Sequence, residues 1–269
     1  MLYPLKFNPI LTPFVWGGQK IAPYKGIECS EKNIGESWEL SNVEGLVSVV
    51  ANGPLAGKTI TELVKTHKGE LVGEHVYRNT GDEFPLLFKF IDALKDLSIQ
   101  VHPNDELAAV QHPGSKGKTE MWYVVSAEPG AKLYSGLTKA ITPEELEKRA
   151  QDGSIIDVLA CYPVHPGDVF FLPAGRIHAI CGGCFIAEIQ QTSDLTWRIY
   201  DLTLPYARDL SEIDSFFTVM CLSGSGVLEV DGDEVPVHQG ETVLVPASAD
   251  DICFVPDDEG MKLLTSYIR

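Results

Sequence analysis

Short apolar runs, each closed by Gly, Pro, Asn, Asp or Ser, recur along this chain far more often than helical periodicity does. Residues 36–41, 45–50, 84–90, 97–102, 121–125, 169–172, 185–190 and 195–200 carry that pattern and are predicted to be strands. Helix signals mark 59–71, 104–111 and 142–150, each beginning at a Thr or Asn that can cap a helix; Pro143 followed by Glu144 and Glu145 strengthens the last. The expected fold class is all-β with a few decorating helices. An internal repeat refines it, because residues 164–175 align without gaps with residues 237–248 at an offset of 73 residues. Two related barrels are implied, a larger one over 1–209 and a smaller one over 210–269.

Side chains alternate across a strand, which places Ser98, Gln100 and His102 on one wall and Lys118 and Glu120 on another. A second imidazole follows at His178, after the apolar strand 169–172 and the turn Pro173-Ala174-Gly175. One amide oxygen, two imidazoles and one carboxylate bind a divalent ion and leave a coordination position open, as catalytic sites do. In the C-terminal copy of the repeat Asp251 stands where the first copy has His178, and nothing there matches Gln100-x-His102. That barrel is expected to be metal-free, with a hairpin around Asp231-Gly232.

A chain of 269 residues with 44% hydrophobic content buries a sizeable core in one or two domains. The net charge of −17 argues against nucleic acid or an anionic membrane as partner. A small anionic substrate then needs local positive charge, and Lys89, Lys118 and Arg198 fall in or near the motif-bearing strands. Residues 1–14 lack the basic and apolar regions of a leader, and no apolar run is long enough to span a bilayer, so a cytoplasmic location is expected. The six cysteines are dispersed and read as reduced thiols. Cys181-Gly-Gly-Cys184 lacks the second pair that a structural zinc site needs. Trp16, Trp38 and Trp122 suit either sugar stacking or core packing.

Residues 167–178 resemble the second half of the cupin metal motif. Gln100-x-His102 with Glu120 resembles an altered first half, with Gln where cupins usually carry His and a longer gap to the Glu. Trp16-Gly-Gly, Gly35-Glu-Ser-Trp-Glu39, Phe84-Pro-Leu-Leu-Phe-Lys-Phe-Ile-Asp92, Leu97-Ser-Ile-Gln-Val-His-Pro-Asn-Asp105, Gly117-Lys-Thr-Glu-Met-Trp122, Pro173-Ala-Gly-Arg-Ile-His178, Glu188-Ile-Gln-Gln-Thr-Ser-Asp194 and Arg198-Ile-Tyr-Asp201 follow one another in an order that resembles the short-form type I mannose-6-phosphate isomerases. The resemblance implies a tandem-cupin, zinc-dependent enzyme that interconverts mannose 6-phosphate and fructose 6-phosphate. It implies one Zn²⁺ per chain on Gln100, His102, Glu120 and His178, an active-site arginine at Arg198, and substrate or phosphate contacts at Lys89, Ser98 and Lys118. Glu188 lies where an acid/base carboxylate is expected, and it has a second reading as a strand carboxylate paired with Arg198.

The chemistry agrees with such a set. Aldose–ketose isomerisation removes a proton beside a carbonyl, passes through an enediolate and returns the proton to the neighbouring carbon; a metal, one acid/base group, and cationic Arg198 and Lys118 serve those needs. The resemblance also implies about fifty largely helical residues between the Arg198-Ile-Tyr-Asp201 strand and the last barrel, whereas here Asp201 and Ser211 are nearly adjacent. A non-catalytic sugar-phosphate-binding cupin is the alternative function, and a cupin oxygenase a weaker one.

Overall fold

The computed structural model describes residues 2, 5–193, 195–200, 206–209, 217–230, 232–238, 242–245 and 251–267. The chain divides into two compact units, Met1–Asp201 and Leu202–Arg269. In the first unit the strands are β1 (Ile10–Gly18), β2 (Ile34–Leu40), β3 (Asn42–Val43), β4 (Leu46–Val47), β5 (Leu86–Ala93), β6 (Ile99–Val101), β7 (Glu120–Ala127), β8 (Lys132–Leu137), β9 (Leu159–Pro163), β10 (Val169–Leu172), β11 (His178–Ile180), β12 (Cys184–Gln191) and β13 (Trp197–Tyr200). Six of them form one sheet in the order β1-β2-β5-β12-β7-β10, and five form a second in the order β13-β6-β11-β8-β9.

The two sheets share one apolar core. Ile91, Val124, Leu172 and Ile186 from the first meet Leu133 and Ile180 from the second, with Trp122 fully buried among them. Alternation supplies the rest: His178 and Ile180 face inward, while Ile177 and Ala179 face outward into a separate cluster with Ile155, Val158 and Leu159. Helices lie outside the sheets. Asn104 caps Asp105–Gln111 through Leu107 N–H at 3.0 Å, and Thr142 caps Pro143–Asp152 through Glu145 N–H at 3.2 Å.

Several boundaries differ from the hydrophobic pattern, each for a local reason. The run 45–50 yields only the two-residue β4, because Gly45 at φ 81° turns the chain and Val49 and Val50 make isolated bridges to Thr59 and Phe7. The helix expected over 59–71 breaks at Lys68, whose φ of 47° ends Ile60–His67 before Gly69–Val72 begins. β1 went unrecognised because Pro13 sits in it; its register with β2 shifts on either side of that residue.

The second unit holds strands β14 (Tyr206–Asp209), β15 (Phe217–Val230), β16 (Asp233–His238), β17 (Thr242–Val245) and β18 (Asp251–Tyr267) in one sheet. β15 and β16 form a hairpin with Val230 opposite Asp233, and Gly232 takes φ 88° in its turn. Asp231 and residues 239–241 and 246–250, where much of the second copy of the repeat falls, lie outside the described residues, as do 201–205 and 210–216 of the shortened junction. Leu228, Val237, Ile252 and Phe254 make this unit's own core.

Candidate metal and substrate site

Three loop–strand junctions converge at one end of the first unit's interior. His102 follows β6, Glu120 opens β7 and His178 opens β11, all buried, with one donor atom from each lying within 4.8 Å of the others. The junctions are tied to one another. Gly175 N–H donates to His102 O at 2.8 Å and Lys118 N–H to Pro103 O at 3.0 Å. Two glycines permit this: Gly175 takes φ 82° in the turn before His178, and a Cβ on Gly117 would stand 2.6 Å from the backbone of Asn104.

The hydrogen bonds fix how both rings point. His102 Nδ1 meets Leu195 O at 2.9 Å and His178 Nδ1 meets Arg176 O at 2.8 Å. A carbonyl only accepts, so each Nδ1 carries the proton and each Nε2 presents a lone pair. Those lone pairs face Glu120, with His102 Nε2 3.4 Å from Oε1 and His178 Nε2 3.4 Å from Oε2. Acceptors therefore confront acceptors. Among the described residues, no hydrogen-bond donor reaches buried His102 Nε2, His178 Nε2 or Glu120 Oε2. Burial pulls the His178 pKa down to about 4, against the attraction of Glu120, and burial likewise lowers that of His102. Burial pushes Glu120 the other way, yet the Lys118 ammonium 3.0 Å away leads the opposing influences, and the carboxyl is held well below the usual range. Two neutral imidazoles and a carboxylate in a dry pocket make a donor set that a divalent cation would complete.

Gln100 sits in the middle of β6, half-buried, directly opposite His178 on one side and Arg198 on the other. Directly opposed residues share a face, so Ser135, His178, Gln100 and Arg198 form one row across β8, β11, β6 and β13. The row runs from buried Ser135 to exposed Arg198. Ser98, just before β6, is half-buried. Lys118 is buried beside Glu120.

Glu188 and Lys89 belong to a second buried group. Lys89 Nζ lies 3.1 Å from Glu188 and 3.4 Å from Glu36, with the Trp38 ring 5.4 Å away. Trp122 Nε1–H donates to Glu188 at 2.6 Å and Trp38 Nε1–H to Glu36 at 2.7 Å. Both indoles are thus core residues with satisfied N–H groups, 0% and 4% exposed. The Trp122 ring meets the His178 ring edge-on at 5.3 Å between centroids, which joins this group to the imidazole cluster. Burial, then the negative charge of Glu120, pushes the Glu188 pKa above its ordinary 4.5 despite Lys89. Burial pulls Lys89 down, but Glu188 and Glu36 more than reverse it. Lys89 and Trp122 pair with Glu188, whereas Arg198 is exposed at the sheet edge. Glu36, Trp38 and Trp122 were not singled out as site residues from the sequence, although Glu36 and Trp38 share one strand face at i and i+2.

Cys181 and Cys184 are free, and burial pushes their thiols up to about 12 and about 11. They are packing residues, far from the reactivity of a low-pKa thiol. Among the described residues no helix is long and apolar enough to cross a membrane.

Residues 5–132 match the family phosphomannose isomerase type I, catalytic domain. The chain is 40% identical over 201 residues to the probable mannose-6-phosphate isomerase GmuF of Bacillus subtilis (strain 168), an alignment that covers 75% of this chain and 62% of that protein. It is also 40% identical over 199 residues to mannose-6-phosphate isomerase ManA of the same organism, covering 74% and 61%. The chain thus spans less than two thirds of the length of these relatives. Its structure is similar to the crystal structure of the mannose 6-phosphate isomerase from Bacillus subtilis, with a TM-score of 0.68 and 26% identity over 98% of this chain and 99% of that one.

Proposed function

We propose that this chain, whose residues 5–132 match the phosphomannose isomerase type I catalytic domain, interconverts mannose 6-phosphate and fructose 6-phosphate. The observation that carries the reading is the cluster of buried acceptors, His102 Nε2, His178 Nε2 and Glu120 Oε2, which no donor among the described residues satisfies. Gln100, His102, Glu120 and His178 would hold one zinc ion, whose bound form supplies Lewis acidity toward the sugar oxygens. The proton moves on this chain's own atoms. A Glu188 oxygen takes the proton from C2 of the open-chain aldose and returns it to C1, and the hydroxyl proton passes from O2 to O1, so that aldehyde and C2 hydroxyl become C1 hydroxyl and ketone. Lys89 and Trp122 hold that carboxylate in place and favour its anionic form. Lys89 acts through Glu188, because two carboxylates already engage its ammonium.

Exposed Arg198, in one row with Gln100 and His178, is available to the dianionic phosphate at the rim. Lys118 and Ser98 would contact the sugar beside the metal, Lys118 adding positive charge where the enediolate develops. The two units are read as tandem cupin barrels, the first catalytic and the second without a metal site, in a cytoplasmic enzyme whose partner is the sugar phosphate. A buried, charge-paired carboxylate next to the ligand cluster favours an isomerase over a sugar-phosphate sensor, which needs no proton carrier.

The test is conversion of mannose 6-phosphate by purified protein before chelation, after it, and with zinc restored. Activity should vanish and return. Zinc-loaded, folded protein that never turns over sinks the reading.

A further inference from the structure

Gln190 stands at the end of an inward-facing row on β12: Cys184, Ile186, Glu188 and Gln190 are buried, Ala187 and Ile189 between the last three are half-buried, and Phe185 is buried in a separate cluster. It lies directly opposite Glu120 on β7 and is 1% exposed. Directly opposed residues of an antiparallel pair hold their Cβ atoms about 5 Å apart on one face, so Gln190 borders the ligand cluster. Its amide is oriented by two backbone carbonyls, Nε2 donating to Gln191 O at 3.0 Å and to Ser193 O at 2.8 Å. Both N–H groups are thereby used. An exchange of the amide ends would set oxygen against two carbonyls, so the nitrogen is identified by its partners. Oε1 then points away from Nε2 within the amide plane, and it is buried with no donor among the described residues.

A buried amide acceptor left without a donor costs free energy that nothing in the apoprotein returns. Its chemistry restricts what can meet it. An acceptor repels phosphate oxygens and the sugar carbonyl, and it takes an O–H, an N–H or a metal ion. The row places it one inward position beyond Glu188, and its pairing with Glu120 sets it beside the ligand cluster.

From this geometry we propose that Gln190 is a substrate-orienting residue whose side-chain oxygen accepts a hydrogen bond from a sugar hydroxyl. The inference rests on the isomerase reading above and extends it to a residue that sets which hydroxyls are recognised. Substrate binding supplies the missing donor, and the two carbonyls keep the acceptor rigid so that little ordering is needed when the sugar arrives.

The experiment is a cycle between protein and substrate. Wild type and Gln190→Met, both zinc-loaded, are compared on mannose 6-phosphate and on its 3-deoxy and 4-deoxy analogues, with kcat and KM measured separately. Wild type should lose about ten-fold in kcat/KM on one analogue, the size of one hydrogen bond to a neutral group. Gln190→Met should lose a similar factor on the full sugar and no more on that analogue. A purely structural residue would instead lower all substrates by the same factor, which would overturn the assignment. So would loss of bound zinc from the variant, since Gln190 would then serve the metal. If Gln190→Met fails to fold, Gln190→Leu replaces it; failure of both makes the residue structural and ends the proposal. Absence of both turnover and sugar-phosphate binding in wild type would instead strike the isomerase reading itself.

Discussion

Along β5, β7 and β12 the inward positions change character partway down the same strands. At one end lie Ala93 and Ile91, Val124, and Cys184 and Ile186, packed as core; at the other lie Lys89, Glu120, and Glu188 and Gln190. Trp122 sits at the border, its ring in the core and its N–H on Glu188. Both ends are buried, and they differ in side-chain chemistry. The apolar end satisfies itself through contact. The polar end leaves His102 Nε2, His178 Nε2, Glu120 Oε2 and Gln190 Oε1 buried without donors among the described residues. Folding is driven by one half of each strand, and the other half is held in an arrangement that a ligand completes.

Substitutions that separate the two ends test that division. The largest effect is expected from Glu188→Gln, which keeps the acceptor for Trp122 but cannot take a proton. Turnover per folded molecule should fall by about 10²–10⁴-fold, the usual range for loss of a general base, while zinc content changes little. Retained turnover would move proton transfer to another group. At the other end Ile186→Ala should lower stability by about 2–5 kcal/mol in denaturant titrations, with kcat per folded molecule close to wild type. A large loss of kcat in the folded fraction would show the two ends to be mechanically linked.

Metal removal probes the polar end alone. Chelation should lower the melting temperature and zinc should restore it, because an ion that binds only the folded state stabilises it by mass action. His178→Ala should abolish the zinc-dependent shift, read by thermal unfolding with metal analysis. A zinc shift that survives the substitution would place the ion elsewhere.

The same comparison explains which parts were legible in the sequence. His102, Glu120 and His178, which the structure brings together, are conspicuous because ligand types are uncommon at alternating strand positions beside turns, and Gln100 lies opposite His178. Paired apolar residues likewise announced β5, β7 and β12, with boundaries wrong by one to three residues. The register was not legible. Glu188 had two readings, and Lys89 is opposite it only because β5 pairs β12 with that offset. Glu36 entered the group through the β2–β5 pairing, a contact 53 residues apart in the chain. Gln190 was read as an ordinary strand residue, since nothing local reveals that both of its N–H groups are used and its oxygen is not. β1 was hidden by Pro13 and its bulges.

The smallest effect sharpens the comparison most. Glu188 must be ionised to accept a proton, and its pKa is raised above 4.5 first by burial and then by Glu120, with Glu36 adding in the same direction. The acid limb of the kcat profile should therefore lie above the ordinary glutamate range, and the rate should fall as pH drops through it. Glu36→Gln removes one negative charge and leaves Lys89 to Glu188 alone, while the Gln oxygen still accepts from Trp38. Both changes favour ionised Glu188, so the acid limb should move to lower pH, by less than about one unit for a charge acting through an intervening lysine. A limb that moves upward would mean Glu36 helps to keep Glu188 charged. An unmoved limb would mean that the group titrating in kcat is not Glu188, and the polar end would then hold its proton carrier among the residues around Lys118.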